Sequence, residues 1–382
     1  MLIGGFFSVD GALLLDESPG REFMLRLDTK GHYKEKIFTS NGRTASVLAL
    51  QHCAKRMEGK KILLPDYLCL SVISAVEAAG LAYDFYHVQE NLEINWESLY
   101  SKIDESTGMI YVIHYFSVPQ HSNLVEQIKS VVKEKNILIM EDITQALFSK
   151  HSERMGFGDY IVASLRKWFP MTDGGLLAIR NGLEGEALTL ADAYEQSVYQ
   201  ELLISVLRMQ YERDPNQSKE AYLHYEKAAN ASRYLDLTPR SMTAASQHIL
   251  THADIRELIQ RRVDNFNFLE EKLKAIPEIK VLSKPIGTDG NFVPFGMTIL
   301  VEKREELYQY LTAHNVIPEI QWILPAEYYE PGQDAVFLSK HNLMLQCDQR
   351  YTREDMDYVE NLLSAFFHHA PDLDQLNESF TN

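Results

Sequence analysis

The chain has 382 residues, 45% of them hydrophobic and 24% charged, a globular composition whose length suits one large and one small domain. A formal net charge of −17 argues against a nucleic-acid partner or an anionic membrane surface, while leaving room for a phosphorylated small molecule held by a local nest of amides. The three cysteines, Cys53, Cys69 and Cys347, form no CxxC, so no disulfide framework and no metal site is expected.

Residues 1–37 alternate short apolar runs with turns such as Ser18-Pro19-Gly20 and read as an arm or peripheral hairpin. MLIGGFFSVD has no basic flank and no run of eighteen apolar residues occurs, so a cytoplasmic protein without a membrane span is expected. In FTSNGRTASVLALQHCAKRM (38–57) a Ser40-Asn41-Gly42 turn opens a helix. Unpaired amides and the positive dipole end meet there, which makes a phosphate seat; an N-cap that satisfies its own amides is the competing reading. Residues 61–80 read as a strand, a helix and a Gly80 C-cap, with further strands at 81–88, 108–114 and 137–140, the last delivering Glu141 and Asp142. A helix is expected over 123–135.

The stretch YIVASLRKWFPMTDGGLLAI (160–179) holds two apolar runs around a polar turn with Ser164, Arg166 and Lys167. Strands alternating with helices call for a mostly parallel sheet covered on both faces, with active residues at the strands' carboxyl ends. Tyr67, His114, Asp142 and Ser164 fall at such ends. Beyond Asn181 the pattern turns helical over 184–213 and 217–234, then over 243–274, with a domain boundary near residue 240. Strand candidates at 292–301 and 343–347 and helices at 304–314 and 353–368 follow, ending in a polar tail, 371–382. The organisation expected is thus 1–37 arm, 38–240 large domain and 241–382 small domain.

A lysine beside apolar strands can serve as an amine nucleophile, although most lysines near turns are simply solvated. Pyridoxal phosphate needs such a lysine, a cup for its phosphate, a carboxylate at its ring nitrogen and a flat neighbour. The chain offers one candidate for each task. Gly42, Arg43 and Thr44 supply amides, and Thr44 and Ser164 supply hydroxyls. Asp142 is the carboxylate, Gln145 reaches the phenolic oxygen, and Tyr67 stacks on the ring or packs in the core. His114 is either a second ring contact or a satisfied structural histidine. GxGxxG and GxxxxGK[ST] are absent, which argues against a nucleotide-binding Rossmann or P-loop enzyme.

SNGRTASVLAL, LLPDYLCLSVISAVEAAG, YVIHYFSVPQ, MEDITQAL and ASLRKWFPMTDGGLLA, in that order, carry a resemblance. The sequence resembles the fold-type-I pyridoxal-phosphate enzymes, and among them the DegT/StrS sugar aminotransferases, over nearly its whole length. That resemblance implies a three-layer fold with a mostly parallel seven-stranded sheet and a smaller C-terminal α/β domain. It makes Lys167 the Schiff-base lysine, Asp142 the ring-nitrogen partner, Gln145 the phenolic-oxygen contact and Tyr67 the ring stacker, with Gly42, Arg43 and Ser164 around the phosphate. The implied enzyme is a homodimer that moves an amino group from an amino acid, glutamate being the expected donor, to a keto or aldehyde acceptor such as a nucleotide-linked keto sugar. A dehydratase, decarboxylase or racemase on the same scaffold, or a non-catalytic member of the fold, is the alternative. Two departures stand out: Ser164 and Lys167 are only three residues apart, and LDLTPRSMTAAS (235–246) lacks the family's Gly-Tyr-Asn-Tyr segment. Arg166 is a candidate for phosphate or substrate carboxylate, and Arg350 for substrate.

Overall fold

The computed structural model describes residues 2–5, 7–20, 31–149, 154–213, 224–225, 227, 236–284, 292–325 and 327–368. The helical expectation for 217–234, apart from residues 224, 225 and 227, and the tail 371–382 lie outside them. At the centre is a seven-stranded sheet in the order β2-β8-β7-β6-β5-β3-β4. Its strands are β2 Glu35–Thr39, β3 Lys61–Pro65, β4 Ala82–Tyr86, β5 Thr107–Ile113, β6 Leu138–Asp142, β7 Tyr160–Ser164 and β8 Gly175–Ile179. β3 to β7 run parallel, and β8 is antiparallel to both β7 and β2. β5 is buried along its whole length, as a parallel strand covered on both faces must be. Six strands match apolar runs in the sequence. The seventh, Glu35–Thr39, is an edge strand with one exposed and three half-buried residues, so it carries little apolar signal and straddles the expected arm boundary.

The parallel strands all end on one edge of this sheet, at Pro65, Tyr86, Ile113, Asp142 and Ser164. The antiparallel β8 begins there, because Gly175 pairs with Ser164 on one side and Thr39 on the other. Helices Gly42–His52, Leu70–Ala78, Trp96–Lys102 and Ser122–Lys135 connect the strands.

Toward the C-terminus a smaller antiparallel sheet forms in the order β12-β10-β9, with β9 Lys280–Val281, β10 Met297–Leu300 and β12 Asn342–Leu345. It shares a core with helices Ile255–Leu273, Arg304–Ala313 and Arg353–His368, centred on Phe266, Leu311, Leu345 and Leu363. The expected helix over 243–274 is two helices, Ala244–His252 and Ile255–Leu273. Asp254 breaks it: its carboxylate accepts the Arg256 and Glu257 amides and caps the second helix. The stretch 184–213 is helical only from Gln196. Ala191 instead commits its backbone to Pro239 and Ser241. Within the expected arm, β1 (Ile3–Gly4) runs parallel to β11 (Val316–Ile317).

Candidate active site

A cavity of about 320 Å³ opens where the parallel strands end. Gly42 and Arg43, in the first turn of helix Gly42–His52, form one wall. Asn41 caps that helix by accepting the Thr44 amide at 3.1 Å, and the Thr44 hydroxyl answers the Asn41 backbone at 3.2 Å. This capping box leaves Thr44 buried and outside the cavity lining, so its side chain serves the cap rather than a ligand. The helix start lies hard against the end of β7. A Cβ on Gly42 would stand 3.2 Å from the Ser164 backbone nitrogen, and one on Gly175 only 2.2 Å from the Asn41 carbonyl oxygen. Glycine at both places lets helix amides and the Ser164 hydroxyl face the same space, one turn from Ser46.

Asp142 ends β6 in this cavity. The Tyr111 hydroxyl donates to its Oδ2 at 2.9 Å, and the Thr144 amide donates to Oδ1 at 2.8 Å. Burial, and after it the charge of Asp142, pushes the Tyr111 phenol well above its usual pKa, so it remains a donor. Strand alternation sorts the remaining candidates. Ile113 pairs with Asp142 and Asp142 with Val162, so Tyr111, Ile113, Asp142, Val162 and Ser164 share the cavity face. His114 and Glu141 point to the other face. The His114 Nε2 lies 2.9 Å from Glu141 Oε1, and the Glu141 carboxylate also accepts the Gly156 and Gly158 amides. Both side chains are fully buried. His114 is thus hydrogen-bonded on the face away from this cavity and does not line it.

Lys167 closes the short 3₁₀ turn Leu165–Lys167 that follows β7. The Leu165 amide donates to the Gly174 carbonyl at 3.0 Å, and the turn is braced by the Trp168 indole donating to the Thr144 carbonyl at 2.7 Å. Lys167 and Arg166 line the cavity together with Asp142 and Gln145, and they also line a recess of about 30 Å³ beside it. Arg350 does not line the cavity itself; it borders that recess and a separate cavity beside Phe7 and Tyr351, doubly bonded to Asp348 at 2.9 and 2.7 Å and donating to the Gly5 carbonyl.

Tyr67 is not among the residues that line this cavity. It is fully buried against Tyr115 and Trp322, and its hydroxyl donates to the backbone carbonyl of Gln321. The residues from this segment that line the cavity are Cys69, at the N-cap of helix Leu70–Ala78, and Ser71 and Val72 in its first turn. Sequence reading also passed over Ser46, Tyr111, Thr144, Glu319, Gln321 and Trp322, all on the cavity wall. Tyr111 was within reach, since two-residue alternation back from Ile113 puts it beside Asp142. Glu319, Gln321 and Trp322 come from a segment whose approach depends on tertiary packing.

The model of the DegT/DnrJ/EryC1/StrS aminotransferase family matches residues 19–361. The chain belongs to that family. Relatives of this DegT/StrS chain include a pleiotropic regulatory protein of Geobacillus stearothermophilus, 22% identical over 88% of this chain and 86% of the relative. A GDP-perosamine synthase of Escherichia coli O157:H7 is 24% identical over 41% of this chain and 43% of the relative. Among solved structures, the Streptococcus pneumoniae putative sugar aminotransferase Spr1654 in its PMP form superposes with a TM-score of 0.67 at 15% identity, over 98% of this chain and 100% of that one. The fold is accordingly that of the fold-type-I aminotransferases, and DegT/StrS aminotransferases depend on pyridoxal 5'-phosphate. The cavity suits that cofactor: a carboxylate held by two donors, a lysine, and a glycine-opened helix start that a Cβ would crowd.

Proposed function

We propose that this aminotransferase carries an amino group from an amino acid, glutamate being the proposed donor, to the carbonyl of a keto sugar linked to a nucleotide. The observation that carries the reading is the meeting of Lys167, Asp142, Gln145 and the Gly42–Arg43 helix start in one cavity. The sugar acceptor is supported by the relatives' names, GDP-perosamine synthase and putative sugar aminotransferase.

In this proposal Lys167 holds the cofactor through its amine, and the Gly42 and Arg43 amides with the Ser164 hydroxyl take the phosphate. The pyridoxal ring, when bound, supplies the electron sink that lets an amino acid lose its Cα proton. Each residue then has one task. Asp142 would pair with the protonated ring nitrogen, and the Tyr111 and Thr144 donors fix the orientation of its carboxylate. The Lys167 Nζ, once released by the incoming amine, would take the Cα proton and deliver it to the cofactor's aldehyde-derived carbon on the other side of the amine nitrogen. Trp322 and Ile320 wall the cavity on the side of the C-terminal half and limit water. Arg166, on the wall beside Lys167, takes the donor's carboxylate.

The chain acts in the cytoplasm as a homodimer in this proposal. Among the described residues no helix is long and apolar enough to cross a membrane. Helix Gln196–Arg213 exposes Tyr199, Leu203 and Val206, at 72, 42 and 44%, as a stripe that a second copy would cover. The test of the activity is a half-reaction. Glutamate added to the loaded protein should convert the bound cofactor to its amine form and release 2-oxoglutarate, read by absorbance and by product analysis. No conversion with glutamate or any other amino acid would exclude an aminotransferase.

A further inference from the structure

Gln145 sits at one end of a run of side-chain hydrogen bonds that crosses from the strand ends to the C-terminal half. The backbone amide of Phe116 donates to Gln145 Oε1 at 2.9 Å. Gln145 Nε2 donates to Gln321 Oε1 at 2.5 Å, and Gln321 Nε2 donates to Glu319 Oε2 at 2.7 Å. Gln346 Nε2 donates to the other carboxylate oxygen at 2.9 Å. The direction of this run is set at both ends. A backbone N–H can only donate, and an ionised carboxylate can only accept, so neither glutamine amide can flip without setting like atoms against each other. Gln145, Gln321 and Gln346 are all buried, where such a mismatch is costly. The Gln321 backbone is fixed as well: its amide donates to Asn342 Oδ1 at 2.7 Å, and its carbonyl accepts the Tyr67 hydroxyl.

We propose that Gln321, backed by Glu319, is the positioning residue for Gln145. It takes one Nε2 proton of Gln145 and leaves the second for a ligand oxygen in the cavity. The inference rests on the proposed function, in which that oxygen is the phenolic oxygen of pyridoxal phosphate. The negative charge of Glu319 at the far end strengthens each donor in turn. The C-terminal half thereby acts on the electronics of a cofactor bound at the strand ends. Tyr67 holds the segment that carries this contact.

The experiment follows the pH midpoint of the bound cofactor's visible absorbance, together with cofactor affinity of the apoprotein by tryptophan fluorescence. An N–H on the phenolic oxygen stabilises its anion and lowers that midpoint. Gln321→Leu removes the acceptor for Gln145, and the midpoint should rise by about half to one unit. Gln321→Glu keeps the shape but sets two carboxylates together, and should shift it likewise. Adding Glu319→Gln to Gln321→Glu restores the alternation of donor and acceptor, and the midpoint should return to that of the unmodified protein. If Gln321→Leu does not fold, the single and paired variants still decide. Lower affinity with an unmoved midpoint, or a paired variant no nearer the unmodified protein than Gln321→Glu alone, overturns the proposal. Unmodified protein that binds no pyridoxal phosphate overturns the proposed function as well, so the two failures are separable.

Discussion

Tyr111 and Asp142 show how much one side chain can set for another. The phenol spends its proton on Asp142 Oδ2 and the Thr144 amide spends its own on Oδ1, so the carboxylate has one orientation. Tyr111→Phe removes a hydrogen bond to a charged group, about 1.5–3 kcal/mol, and kcat should fall roughly 10- to 100-fold with the cofactor retained. Steady-state kinetics beside an absorbance titration checks this, and an unchanged kcat would deny Tyr111 its positioning role. Asp142→Asn should keep the cofactor and lose nearly all turnover. That Lys167, Asp142, Gln145, Gly42, Arg43 and Ser164 meet was legible in the sequence, because each sits at a strand end or in a turn. Thr44, Tyr67 and His114 lie outside the cavity lining for local reasons. A cap satisfied itself, an aromatic ring was buried under a later segment, and one step of strand alternation turned an imidazole to the other face.

At the level of elements, the start of helix Gly42–His52 does two tasks, ending β2's connection and facing the cavity with amides. Asn41→Ala removes the side-chain acceptor for the Thr44 amide and should cost about 1 kcal/mol of stability in denaturant unfolding. Cofactor affinity should fall with it, since a frayed first turn no longer aims its amides; affinity equal to the unmodified protein's would separate the cap from the phosphate seat. The apolar runs of β3 to β8 announced themselves in the sequence. The edge strand β2 did not, since Glu35, Lys36 and Thr39 leave only Ile37 and Phe38 as an apolar run. The break at Asp254 was likewise hidden inside a periodic pattern, although an aspartate ahead of Arg256 and Glu257 is the residue a new helix start requires.

The whole molecule is tied together by contacts between distant parts of the chain, and these were the least legible from sequence. Ile3 is buried in the C-terminal core, the Tyr351 hydroxyl accepts the Gly4 amide at 2.7 Å, and Arg208 donates to the Gly4 carbonyl at 2.8 Å. Arg350, read from sequence as a substrate residue, belongs to this junction through Asp348 and Gly5. Burial alone would raise the Asp348 pKa, but the Arg350 guanidinium holds it below the usual carboxylate range. A carboxyl depressed in the folded state stabilises the fold above its unfolded pKa and loses that contribution as pH falls through the folded value. Acid unfolding should therefore steepen below about pH 4, where the unfolded carboxyl takes up its proton. Arg350→Leu should be less stable at neutral pH and show a flatter acid limb in thermal melts; an unchanged limb would mean the pair contributes nothing. The central claim concerns Lys167, and borohydride tests it most directly. Reducing the loaded protein and mapping its peptides by mass should place a phosphopyridoxyl group on Lys167, with Lys167→Ala unlabelled; a label on another lysine, or none on cofactor-saturated protein, would contradict the account.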